Sequence, residues 1–158
     1  MKAKEGVLDL ISNFLTNELT AINQYFIHAE ICAHWGYERL SHKLSEESVE
    51  EMRHAQRIVK HILYLEGIPN MQKLGDVRIG ETVPEQFTIC LKMEQKSAKM
   101  LNEGIAHCVK VGDNNTRHIL EDLLSDAEKQ ISWLETQLET IKQTGIENYL
   151  SEQIKKES

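Results

Sequence analysis

Proline is nearly absent from this 158-residue chain: only Pro69 and Pro84 interrupt it, and glycine occupies just eight positions. So few breakers in a chain rich in Leu, Ile, Glu and Lys exclude turn-dense all-β architectures and predict long helices. Membrane-length apolar runs are missing as well. None approaches the roughly 18 residues a spanning helix needs, and the N-terminus lacks the apolar core of a secretion signal. The expected location is therefore the cytoplasm, with no membrane partner. Positive charge is in deficit. With 18 Lys and Arg against 25 Asp and Glu, the formal net charge is −7. That balance disfavours phosphate-backbone binding, so no nucleic-acid partner is expected, and it suits a protein that attracts cations. Cysteine is scarce and odd in number. Cys32, Cys90 and Cys108 form no C-x-x-C pair, which argues for reduced, buried thiols over a disulfide framework or a thiolate zinc site.

What the chain does have is helical periodicity. A first helix is predicted from about Glu5 to Trp35, closed by Gly36, and a second from about His42 to Glu66, stopped by Gly67 and Pro69. Residues 67–82 show no helical period, and about 15 residues suit a crossover along a bundle better than a tight turn. Thr82 and Glu85 form a capping box with Pro84 in the first turn of the third helix, which ends near Val111-Gly112. The run Asp113-Asn114-Asn115 caps a fourth helix reaching Thr144-Gly145, and a short fifth helix spans Ile146 to about Lys156. The expected fold is all-α, a single domain over 1–158 with a four-helix bundle at about 5–144.

Into these apolar stripes the sequence inserts charge. At about 3.6 residues per turn, Glu51, His54, Ala55, Ile58, Ile62 and Leu65 share one face of the second helix. Glu18 interrupts the stripe Ile11, Phe14, Leu15, Leu19, Ile22 and Phe26, and Glu94 interrupts Phe87, Leu91, Ala98, Leu101 and Ile105. A lone Glu at a stripe edge usually snorkels to water. Three inward carboxylates with a Glu-x-x-His are better read as metal ligands, because a buried carboxylate needs a partner.

Two helical hairpins joined by a long crossover, with this ligand pattern, form the ferritin-like plan. The runs Asn17-Glu18-Leu19, Ala21 to Phe26, Trp35-Gly36, Glu51-Met52-x-His54-Ala55, Leu65 to Pro69, Ile79-Gly80-Glu81 and Trp133-Leu134-Glu135 specifically resemble bacterioferritin. The resemblance covers essentially the whole chain. It implies an iron-storing hollow shell of about two dozen identical subunits built from two-fold dimers. It also implies a b-type haem shared between paired subunits and a di-iron ferroxidase centre within each bundle.

By that resemblance Glu18, Glu51, His54 and Glu94 match iron ligands. The family also places a second Glu-x-x-His on the fourth helix, and here the match fails. The stripe Leu120, Leu123, Leu124, Ile131, Leu134, Leu138 and Ile141 turns Ala127 and Gln130 inward at those positions. A bridging carboxylate and a terminal imidazole are missing. Glu128 could substitute only through a helix distortion, since it is rotated about 100° from the needed direction. The expectation is one weak metal position on the Glu18/His54 side. Glu94 would hold a proton or accept a hydrogen bond from the Gln130 amide.

The resemblance further gives Met52 as the axial sulfur ligand of the haem, with Leu19, Asn23 and Phe26 lining its pocket. Glu46, Glu47 and Glu50 would face the cavity and attract ferrous ions, against the plainer reading of a solvated helix face. Tyr25 is read as a core tyrosine with a satisfied hydroxyl, its alternative being an electron donor to the centre. Trp35 and Trp133 are read as packing. The expected function is iron storage through haem and shell, with weak ferroxidase activity alone and dependence on a second bacterioferritin subunit that has an intact centre. An electron-donating ferredoxin or reductase is the other expected partner. The alternative is a self-sufficient ferroxidase using O2 or H2O2. A rubrerythrin-like peroxidase is disfavoured by the lack of paired C-x-x-C motifs, and a DNA-protecting mini-ferritin by ligands that lie within one bundle.

Overall fold

The computed structural model describes residues 1–155, and the predicted end of the last helix at Lys156 lies outside the described residues. Five helices and no strand occur among the described residues: α1 (Val7–His34), α2 (Glu38–Tyr64), α3 (Val83–Val111), α4 (Asn114–Thr144) and α5 (Ile146–Gln153). The all-α reading therefore holds. Most boundaries lie within two residues of those predicted. Two differ by more: α5 stops at Gln153, short of the predicted end, and α2 starts one turn before His42 because Leu40 and Leu44 carry its apolar stripe into the core, at 1% and 0% exposure.

Local chemistry sets the ends. Thr82 accepts a hydrogen bond from the Glu85 amide at the start of α3, and Glu85 reaches back to the Glu81 amide. Asp113 caps α4 through the Thr116 amide, and Gly112 closes α3 in the left-handed conformation.

Helix α1 packs along α2 and α3 along α4, and the two hairpins meet chiefly through α1 and α3. The core has two apolar halves. One gathers Ile11, Phe14, Leu15, Ile58, Ile62, Leu101 and Leu120, and the other gathers Leu40, Leu44, Phe87, Cys90, Leu134 and Tyr149. Between them lies a polar layer.

The crossover from Leu65 to Thr82 is fastened to one edge of α1 by side chains a turn apart. Thr20 accepts from the Gly75 amide at 2.8 Å. The Gln24 side chain accepts from the Arg78 amide at 2.9 Å and donates to the Arg78 carbonyl, and His28 Nε2 accepts from the Gly80 amide at 3.1 Å. Gly80 is required where the strap turns onto α3, since a Cβ there would lie 2.6 Å from the Gln86 amide nitrogen.

Candidate metal centre

The polar layer contains Glu18, Glu51, His54 and Glu94, each less than a tenth exposed. Long helices with apolar stripes force this burial. Each residue occupies a stripe position, so packing the stripe carries the charge inward.

His54 sits in the middle of a carboxylate clasp. Its Nδ1 lies 3.3 Å from Glu18 Oε2 and 3.5 Å from Glu51 Oε2. Its Nε2 lies 3.0 Å from Asp126 Oδ2 and 3.6 Å from Glu50 Oε1. Burial alone would lower the ring's pKa, but the bonds it donates to Glu18 and Glu51 outweigh it and push the value up to about 11. Without a metal, His54 is an imidazolium donating from both nitrogens. Burial and the Glu18 carboxylate together hold Glu51 well above the ordinary carboxylate range. Glu18, Glu51 and His54 offer ligand atoms within 4.8 Å of one another, a spacing at which a cation could replace the proton on Nδ1.

The other half of the layer is built differently. Tyr25, fully buried, donates its hydroxyl to Glu94 Oε1 at 2.7 Å, and the Gln130 amide donates to the Tyr25 oxygen at 3.3 Å. The expected Gln130-to-Glu94 bond is thus replaced by a relay through Tyr25, whose ring spans the gap between α1 and α3. Burial and Glu51 raise the pKa of Glu94 well above its ordinary value. Ala127 and Gln130 are buried at the inward positions of α4, where Ala127 brings no ligand atom and Gln130 only a weak, neutral one. Glu128 lies on the exposed face of α4 and does not enter the centre.

Two further acids approach that sequence reasoning did not place there. Asp126 precedes the inward Ala127 by one residue, and its carboxylate crosses to His54 on α2. Glu47, one turn before Glu51, turns inward and groups with Glu51 and Glu94, its carboxyl pushed up to about 7 by burial and by Glu51. The spacing of Glu47 to Glu51 and of Glu50 to His54 was visible as i, i+4; the approach of Asp126 was not. Glu50 also pairs with Arg53 at 2.7 Å, and Glu46 stands exposed beside His42 at 3.0 Å.

Met52 and Phe26 are each 57% exposed, and Asn23, also exposed, bonds back to the Leu19 carbonyl. Leu19 belongs to the apolar core. Trp133 packs edge-on to Phe87 beneath Lys43, and Trp35 lies edge-on to Tyr37. All three cysteines are buried and unbridged.

A bundle of two hairpins with buried carboxylates and a Glu-x-x-His at mid-height defines the ferritin-like class, and the sequence model of the ferritin-like domain matches residues 8–144. The chain belongs, within that class, to the bacterioferritin family. It is 42% identical over 149 residues, 94% of either chain, to the bacterioferritin of Mycobacterium leprae (strain TN). Identity is again 42% over 149 residues, 94% of either chain, to bacterioferritin BfrA of Mycobacterium tuberculosis (strain ATCC 25618 / H37Rv). It is 38% over 149 residues, 94% of this chain and 92% of the relative, to the bacterioferritin of Brucella melitensis biotype 1.

Proposed function

We propose that this protein stores iron as a subunit of a bacterioferritin-type shell, and that its ferroxidase centre is degenerate. Ferrous iron is its cargo and substrate. One ion binds among Glu18, Glu51 and His54, with Asp126 orienting the imidazole through Nε2. The second position, left with Glu94, Glu47 and a share of Glu51, lacks the imidazole and the bridging carboxylate on α4 that a second ion needs. The observation that carries this reading is that Ala127 and Gln130 are buried at the inward positions of α4, with Gln130 engaged by Tyr25. Exposed apolar side chains on the α1–α2 face, Phe26, Val49 and Met52, and on the crossover, Ile68 and Ile79, support assembly with further copies. On the α1–α2 face Met52 would ligate a haem shared by two subunits, giving an electron path from a ferredoxin or reductase for iron release. Rapid oxidation of iron in a mixed shell then falls to a partner subunit with a complete centre.

A second reading has its own support. Asp126 and Glu47 stand at either side of the layer, and both could donate oxygen to iron. The protein would then be a self-sufficient ferroxidase.

Stopped-flow oxidation of about two ferrous ions per subunit by the homo-oligomer, beside an Ala127→Glu/Gln130→His variant, separates the readings. A slow phase that the double substitution accelerates is expected. A fast, saturable phase in the unmodified protein would overturn the degenerate centre.

A further inference from the structure

The seam between α1 and α3 opens beneath the crossover into a cleft of about 450 Å³. Sites for small organic ligands are of this order, about 300–1,000 Å³. The cleft's charge is the reverse of the chain's. Arg78 enters it from the crossover and Lys92 and Lys96 from α3, against the single acid Asp76, so a protein of net charge −7 here gathers an excess of positive charge.

None of these three cations forms an ion pair among the described residues, whereas Arg53, Arg57 and Arg117 each have a carboxylate partner. Lys92 and Lys96 stand one turn apart with no acid three or four residues to either side, a spacing at which like charges repel. Arg78 is fixed in place. The Gln24 side chain accepts from its amide and donates to its carbonyl, and Thr20, one turn earlier on α1, holds Gly75. The crossover is thus pinned to α1 while its arginine shares the cleft with the lysines of α3.

The remainder of the cleft suits an uncharged body. Met93 and Met100 give it a polarizable apolar lining. Asn13 and Asn17, one turn apart on α1, offer amides with spare capacity. Asn17 is more than nine-tenths buried; its NH2 group donates to Ser97 at 2.6 Å, and its carbonyl oxygen has no partner. Asn13 makes no hydrogen bond among the described residues.

We propose that this cleft binds a nucleoside phosphate. The phosphoryl oxygens lie against Arg78, Lys92 and Lys96, the arginine fork taking two oxygens and the ammonium groups neutralising the rest. The base packs on the two methionines, and Asn13 and Asn17 meet its edge, since an asparagine amide matches the adjacent donor and acceptor of adenine. A lone phosphate would satisfy the cations but leave the asparagines and most of the cleft to water. An acidic protein would reach the exposed cations without filling the space behind them. Bound here, the ligand ties the middle of the crossover to α3 as well as to α1. Nothing in this assignment depends on how many iron ions the centre holds.

The test is calorimetric titration of the assembled, metal-free protein with ATP at low ionic strength, beside adenosine, inorganic triphosphate and polyglutamate. ATP should bind at one site per subunit, at least about tenfold more tightly than triphosphate or adenosine. Arg78→Gln and the double variant Lys92→Gln/Lys96→Gln should each weaken ATP at least about tenfold, the scale of one lost charge-assisted hydrogen bond. Lys110→Gln, on α3 but outside the cleft, should change nothing. Asn13→Ala should weaken ATP and leave triphosphate binding as it was. All these positions are exposed, so the variants should fold, which circular dichroism checks. Absence of ATP binding, or weakening by Lys110→Gln as large as by the cleft variants, would overturn the site. Equal affinity for ATP and triphosphate would reduce it to a polyanion patch and overturn the nucleoside, and polyglutamate binding as tightly as ATP would assign the surface to an acidic protein instead.

Discussion

Acidification should loosen the crossover through His28. The ring is fully buried, and its Nε2 accepts from the Gly80 amide, an arrangement only the neutral imidazole can make. Burial lowers its pKa from 6.5 to about 4, opposed only in part by the nearby Arg78 backbone. A histidine depressed in the folded state contributes stability that is fully present above pH 6.5 and lost as pH falls toward 4, because the unfolded chain binds the proton first. The whole effect is about 3 kcal/mol, of which about 2 kcal/mol lies between pH 7 and pH 5. The carboxylates of the centre oppose this trend, since their raised values make them bind protons first in the folded state, so a single titration cannot isolate the ring. His28→Gln, which cannot titrate, supplies the reference. Urea unfolding of the metal-free protein at fixed subunit concentration, followed by helical circular dichroism, should show the variant less stable at pH 7. At pH 5 the gap should narrow by about 2 kcal/mol. A gap that does not change with pH would refute the assignment of a neutral, accepting ring.

Three further outcomes are expected. Gly80→Ala forces a Cβ within 2.6 Å of the Gln86 amide nitrogen and 2.8 Å of its Cα, backbone that cannot yield, and should cost about 3 kcal/mol; a thermal midpoint unchanged from the parent would contradict the close approach. Anaerobic ferrous binding at pH 7 should release at least about one proton per ion, because the His54 imidazolium must lose its Nδ1 proton, and an indicator dye reads this directly; no release would mean that iron binds elsewhere. If Met52 ligates haem as proposed, Met52→Leu, at an exposed position, should shift stability by less than about 0.5 kcal/mol yet abolish the absorption band of haem-reconstituted protein, and retained haem with unchanged axial spectra would remove Met52 as the ligand.

Most of the fold was legible because helical stripes are local. Ile11, Leu15, Ile58, Leu101 and Leu120 each announce a buried face through i, i+3 and i, i+4 spacing, and each is buried. The inward turn of Glu18, Glu51, His54 and Glu94 was legible for the same reason. What could not be read is register between helices. That Tyr25 meets Glu94 while Gln130 meets Tyr25 depends on how α1, α3 and α4 slide against one another, which no one helix encodes. Asp126 was missed because it lies one position off its own stripe, and only the nearness of α2 makes His54 reachable. The fastening of the crossover by Thr20, Gln24 and His28 was equally hidden. Their spacing marks an edge of α1 without saying which backbone covers it.

The two halves of the polar layer are stable without metal in opposite ways, and this bears on how many ions the centre prefers. Around His54 the solution is ionic: an imidazolium held by Glu18 on one nitrogen and by Asp126 on the other, with the raised Glu51 carboxyl beside it. A cation entering there exchanges for a proton and keeps the charge nearly balanced, so its desolvation is offset by carboxylates already in place. Around Glu94 the solution leans toward neutrality, since burial favours its protonated carboxyl and Tyr25 and Gln130 complete the hydrogen bonds. A cation there could gain the Glu47 carboxyl, but it would have to expel the Glu94 proton without gaining an imidazole, and would also disturb a satisfied tyrosine. The single substitution Gln130→His would not repair this half. It supplies the neutral ligand but not the bridging carboxylate, and it withdraws the amide that donates to Tyr25. On these grounds a carboxylate at position 127 and a histidine at position 130 are needed together before a second ion is favoured.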